Sequence, residues 1–188
     1  MGIHLEKKQK FDLTKKEPSL NNVYVGFGWD FIEGYNEEID ADVSVFMIDS
    51  NSKIPEDSYF VFYNNLSSGD GSVFHQGDIL TVEGIGDEEC VNISLSDVNS
   101  SVEQMIFVIT IHDSENKGQD IGNLNNSYMR IVKNDTKEEI CRFTLDETFG
   151  GFDSVQIGRI YRDGNNWKVE AIGEPFRGGL AAQVELYT

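Results

Sequence analysis

Apolar and polar residues alternate along most of this chain with the period of two that a half-buried strand requires. Asp42-Val43-Ser44-Val45-Phe46-Met47-Ile48 starts in alternation and turns wholly apolar before the turn Asp49-Ser50-Asn51-Ser52-Lys53. Val23–Phe27 and the aromatic, β-branched run Tyr59–Tyr63 read as short strands, the latter ended by Asn64-Asn65. Met105–Ile111 is apolar but for Thr110 and predicts a central strand buried on both faces. Ser127–Val132 and Glu139–Phe143 flank the turn-rich Lys133–Lys137, a hairpin signal. A stronger one joins Ser154–Arg162 to Trp167–Ile172 across Asp163-Gly164-Asn165-Asn166. Helical periodicity is scarce, with one or two turns expected at Ser96–Glu103, capped by Ser96 or Asp97, and a short turn at Asp146–Phe149. About nine short strands with frequent turns predict an all-β protein, an antiparallel β-sandwich with one or two short helices. No linker divides residues 1–188, so one domain is expected, with Ser114–Asn126 a long loop inside it.

Charge sharpens this picture. Lys and Arg number 15 and Asp and Glu 33, a formal net charge of −18. Nucleic acid is a poor partner for such a chain, because phosphates need a basic patch, and cations are favoured. No apolar run reaches the roughly 18 residues that span a bilayer. Met1–Lys8 lacks the apolar core of a secretory signal, and Glu6 stands where a myristoylation motif needs Ser or Thr. The expected location is the cytoplasm, with Cys90 and Cys141 as free thiols.

The acids fall beside Gly, Asn and Ser at strand ends. Asp30 precedes Asp40-Ala41-Asp42; Asn64-Asn65 leads to Asp70; Gly77-Asp78 leads to Glu83-Gly84-Ile85-Gly86-Asp87-Glu88-Glu89. Calcium takes six to eight oxygens from carboxylates, amides, carbonyls and water, and glycine lets a loop turn its carbonyls inward. The pattern suits calcium, and it equally suits solvated turns. It is not an EF-hand: Asp40-Ala41-Asp42 lacks the required glycine, and the loop from Asp113 ends on Leu124 instead of Glu.

No catalytic constellation is present. Nucleophile-elbow and Walker patterns are missing, and Gly26-Phe27-Gly28 and Gly84-Ile85-Gly86 read as tight loops. His4, His75 and His112 are scattered and Cys-x-x-Cys is absent, which disfavours zinc. His75 is expected to hydrogen-bond structurally, and Trp29 and Trp167 to pack.

Three blocks resemble the TerD family of bacterial stress and tellurite-resistance proteins. One is Gly26-Phe27-Gly28-Trp29-Asp30 with Asp40–Phe46. The second runs from Phe60 through Asp70-Gly71-Ser72-Val73 and His75-Gln76-Gly77-Asp78 to Gly86-Asp87-Glu88-Glu89. The third is Tyr128–Val132, Gly158–Arg162, Trp167-Lys168 and Gly178–Ala182. The resemblance covers essentially the whole chain. It implies a two-sheet sandwich and a cytoplasmic, non-enzymatic protein. Calcium would be bound by acidic loops at one end, and other stress-response proteins would be partners. The ligand set it offers is Asp30, Asp40, Asp42, Asn64, Asn65, Asp70, Asp78, Glu83, Gly84, Gly86, Asp87 and Glu88. The family pattern has Asn, Gly and Asp where this chain has Ile79, Val82 and Ile85. Isoleucine brings no side-chain oxygen, so a structural or interaction module with reduced calcium sites is the alternative. Docking of a calcium-loaded end on anionic lipid stays open.

Overall fold

The alternating segments pair into two sheets of six strands each. In this computed structural model, residues 2–32, 39–78 and 86–188 are described, Asp78 without its side chain. The first sheet, sheet A, has the order β1 (Ile3–Leu5), β10 (Glu139–Thr144), β9 (Leu124–Lys133), β3 (Asn22–Phe31), β7 (Glu89–Ser94), β6 (Val73–Asp78). Sheet B has the order β2 (Lys10–Asp12), β12 (Asn166–Phe176), β11 (Ser154–Asp163), β8 (Gln104–Ile111), β4 (Ala41–Ile48), β5 (Phe60–Val61). Every named pairing is antiparallel except β1 with β10.

The core lies between the sheets. Val23, Val25 and Phe27 of β3 and Met129 and Ile131 of β9 point into it from one side, and Val43, Val45 and Met47 of β4 from the other. Phe107 of β8 meets Phe27 across the gap, with ring centroids 5.6 Å apart. Trp167 is buried in this core and Trp29 packs against it. The remaining apolar residues of β4 and β8, Phe46, Ile48, Ile106 and Val108, face outward beneath a C-terminal helix, α2 (Gly179–Tyr187). Both faces of β8 are thus buried, as its apolar run, interrupted by Thr110 alone over Met105–Ile111, predicts.

The helices lie elsewhere than expected. Residues 96–103 form turns, and 146–149 contain no helix. Among the described residues the α-helices are α1 (Ser114–Lys117), inside the expected long loop, and α2. Leu180, Val184 and Tyr187 recur at helical spacing and contact the outer face of sheet B. The strand expected over Tyr59–Tyr63 shrinks to β5, preceded by a 3-10 turn at Asp57–Tyr59. β1, β2 and β7 carry weak local signals and pair with strands distant in the chain, and β6 pairs with β7, the next strand. Among the described residues no helix is long and apolar enough to cross a membrane.

Candidate functional site

The end of the sandwich where β3 finishes and β4 begins gathers most of the acids singled out above. Asp30 lies near the end of β3, Asp40 precedes β4 and Asp42 lies within it. On the same end β6 finishes at Asp78, which pairs with Glu89, and Glu89 pairs with Phe27 of β3. Gly86 and Glu88 lead into β7, and the Glu88 N–H donates to the Phe27 carbonyl at 2.7 Å. Asp30, Asp40, Gly86 and Glu88 are exposed, and Asp42 is half-buried. Asp42 lines a cleft with Tyr63, Thr110 and His112 near the start of α2. One Asp30 carboxylate oxygen accepts from the Asn126 side-chain amide at 2.8 Å. Glu83 and Gly84 lie outside the described residues, as do Ile79, Val82 and Ile85. Among the described residues no three acidic, histidine or cysteine side chains converge closely enough to hold a metal ion.

Other named residues are occupied or distant. Asn64 is exposed beside a tight turn in which Phe62 and Asn65 exchange backbone hydrogen bonds. The Asn65 side chain donates to the Phe60 carbonyl at 2.7 Å, closing that turn. Asp70 sits at the opposite end, near Ser94 and the 94–99 turn. Its carboxylate accepts from the Ser68 and Ser72 hydroxyls at 2.6 Å each, and from the Ser72 and Asn99 N–H groups at 2.9 and 2.8 Å. Burial works against its charge, but these donors outweigh it and hold the carboxyl below the usual aspartate range. It is an organiser of its own loop, remote from the other acids.

Asp87 is the acid with the most elaborate surroundings. It leaves the β6–β7 connection and lies over the outer face of sheet A, its side chain 1% exposed. The Arg130 guanidinium meets it with Nη2 at 2.7 Å and Nε at 2.9 Å, and the Tyr128 hydroxyl donates to it at 2.7 Å. The same hydroxyl lies 2.6 Å from the Gly86 carbonyl, so its one proton is shared between the two acceptors. The contacts close into a ring. Arg130 approaches Glu139 at 3.4 Å, Glu139 accepts from Arg142 at 2.9 Å, and the Arg142 guanidinium stacks 4.1 Å from the Tyr128 ring centroid. Arg130 and Arg142 stand opposite each other across β9 and β10. Glu139 between them relieves what would otherwise be a repulsive pair.

The sequence permits this because Gly26 and Gly28 share that face of β3. A Cβ on Gly26 would collide with the Asp87 carboxylate, and one on Gly28 with the Tyr128 ring. Gly26-Phe27-Gly28 is therefore the middle of a strand and not the tight loop expected. Its glycines are needed for close approach. The ring shifts protonation accordingly. Burial opposes the Arg130 charge, but Asp87 outweighs it and the guanidinium is held still more firmly protonated. Burial and then the bond to Asp87 push the Tyr128 phenol up. Burial pushes the Cys90 thiol up to about 12, reinforced by Asp87, and burial pushes Cys141 to about 12 as well. Both cysteines are free and buried. Cys141 belongs to the central core, and Cys90 to a separate outer cluster with Tyr24 and Val132.

Behind the ring, His75 and Glu89 tie the two sheets together. β5 reaches only Val45 and Phe46 of β4. The Val43 N–H instead donates to Glu89 Oε2 at 2.7 Å. His75 Nδ1 accepts from the Gly77 N–H at 2.9 Å, which places the ring proton on Nε2. That Nε2 lies 3.1 Å from both the Val43 carbonyl and Glu89 Oε2. His75 thus has the structural role its position suggested. Arg130, Tyr128 and Glu89 were missed as site residues. The available signal was the period-two pairing of Tyr128 with Arg130 on β9 opposite two glycines on β3.

Residues 1–187 match the model of the TerD domain. The chain is 41% identical to tellurium resistance protein TerD of Serratia marcescens over 187 residues, covering 100% of this chain and 97% of the relative. It is 44% identical to general stress protein 16U of Bacillus subtilis (strain 168) over 183 residues, covering 96% and 94%. A crystal structure of a homologue of telluride resistance protein (TerD) from Streptomyces coelicolor A3(2) superposes with a TM-score of 0.66. At 16% identity it covers 88% of this chain and 96% of that one, a likeness of fold.

Proposed function

The chain belongs to the TerD family, and from that membership we propose a non-enzymatic, calcium-binding role in the stress response, as a binding or scaffold module. The observation that supports it is that acidic residues from both sheets lie at one end of the sandwich. The end of β3 brings Asp30 there, the start of β4 brings Asp42 with Asp40 just before it, and Glu88 stands just before β7. These carboxylates fit a hard cation. Asp78, Glu83 and Gly84 are further ligands offered by the sequence. A bound calcium ion would neutralise part of the acidic charge carried to this end. The names of the relatives, a tellurium resistance protein and a general stress protein, support the stress assignment. Two free buried thiols suit the reducing cytoplasm. A thiol held near 12 is also no nucleophile at neutral pH.

Calorimetric titration of chelator-stripped protein with calcium tests the reading. Binding should appear as heat and as a rise in melting temperature, since a ligand at about 100 times its Kd stabilises by about 2.7 kcal/mol. Absence of both at millimolar calcium would reject it. A metal-dependent turnover in a hydrolase and phosphatase screen would reject the non-enzymatic half.

A second reading is favoured by one observation. Asp87 is committed to Arg130, and Asp70 lies at the far end, so two of the acids have other duties. With Ile79, Val82 and Ile85 in the same connection, the end then serves as a structural or interaction module. It predicts the same order in residues 86–90 with and without calcium, measurable by amide exchange.

A further inference from the structure

We propose that Asp87 is the anchor of the residues leading into β7, Gly86 to Glu89, and not a calcium ligand, with Arg130 and Tyr128 acting through it as positioning residues. The family resemblance presents Asp87 as an oxygen donor. Its geometry in this chain says otherwise. Calcium sits about 2.3–2.6 Å from its oxygens and needs them reachable from the ion's side. The Asp87 side chain is 1% exposed, and both its oxygens already meet the Arg130 guanidinium, at 2.9 Å on one and 2.7 Å on the other. An ion on either oxygen would stand against that fixed positive charge. The carboxylate is also turned onto the outer face of sheet A, over Gly26, where only a residue without a Cβ leaves room. Glu88, next in the chain, is exposed. Asp87 is thus held on sheet A while its neighbour Glu88 stays in solvent.

The anchor acts on a short lever. The single Tyr128 hydroxyl proton is shared between the Asp87 carboxylate and the Gly86 carbonyl, so the hydroxyl sits against two consecutive residues. The Glu88 N–H then reaches the Phe27 carbonyl, and Glu89 enters the buried contact with His75 and Val43. Gly86, Asp87, Glu88 and Glu89 are thereby each tied to sheet A or sheet B. Arg130 is itself braced by Glu139, which also accepts from Arg142. The chemistry predicts a unit in which loss of either charged partner has the same consequence.

The test uses the full-length, chelator-stripped protein and four variants: Arg130→Gln, Asp87→Asn, the double Arg130→Gln/Asp87→Asn, and Tyr128→Phe. The first readout is amide exchange over residues 86–90 without metal. Arg130→Gln and Asp87→Asn should each speed exchange of the Glu88 amide by about tenfold or more, and Tyr128→Phe by about threefold. The second readout is titration with calcium alone, and this arm rests on the calcium reading above. Arg130→Gln should weaken binding several-fold, and the double variant should be no weaker than the worse single one. If Arg130→Gln binds calcium as tightly as the parent or tighter, while Asp87→Asn on that background abolishes binding, Asp87 is a ligand and the proposal is overturned. If the parent takes up no calcium, the calcium reading fails, and exchange alone decides the anchor. Unchanged exchange in all variants overturns it. Should Arg130→Gln fail to fold, Tyr128→Phe, which keeps the ion pair, carries the same comparison.

Discussion

The two sheets cover their outer faces with opposite chemistry. Sheet B lays Phe46, Ile48, Ile106 and Val108 beneath α2, and Phe46 stacks on Phe60 at 4.5 Å and meets Tyr187 at 5.0 Å. Sheet A instead carries the ring of Asp87, Arg130, Glu139, Arg142 and Tyr128 over a small apolar cluster. Apolar cover is non-directional, so its loss scales with area and with how far neighbours relax. A buried polar ring is conditional on completeness, because an unpaired charge left behind costs more than the ring contributed. One face should therefore fail by degrees and the other all at once.

The largest expected effect breaks the ring. Arg130→Met leaves the Asp87 carboxylate buried without its cation and should cost about 4 kcal/mol in urea unfolding. Adding Asp87→Asn should return a good part of that loss, a coupling that marks a paired unit. On the other face, Phe46→Ala should cost about 3 kcal/mol and Phe46→Leu about 1 kcal/mol, with no partner change that restores either. Gly26→Ala should cost about 2 kcal/mol, since its Cβ displaces the Asp87 carboxylate, and its cost should vanish in part when Asp87 is replaced by Gly.

The smallest effect separates the faces by pH. Burial alone would raise the Glu139 carboxyl, but Arg142 and Arg130 outweigh it and hold it below the usual range. A carboxyl depressed in the folded state contributes stability above its unfolded pKa, near 4.3, and loses it as pH falls through the folded value. The parent should therefore lose about 1 kcal/mol more than Glu139→Gln between about pH 5 and pH 2, read as melting temperature against pH. Phe46→Ala should shift the whole curve downward and leave its acid slope unchanged.

Local pattern determined much of this protein. Alternation marked the long strands, and the hairpin turn Asp163–Asn166 and the doubly buried β8 were legible from residues adjacent in the chain. The whole-chain resemblance identified the family, since it needs only the order of residues. Tertiary structure decided what local pattern could not carry. β1 and β2 exist because distant strands offer them an edge. The helical spacing of α2 acquires meaning only against an outward-facing Phe46. The acids show the limit most clearly. Asp70, Asp87 and Glu88 look alike in sequence, each an acid beside glycine or another acid. Asp70 bonds the 68–72 turn and Asn99 at one end, Asp87 is enclosed with Arg130 forty-three residues away, and Glu88 stays in solvent. A carboxylate's chemistry is set by what surrounds it in space, and only the pairing of β3 with β9 brings Arg130 over Gly26.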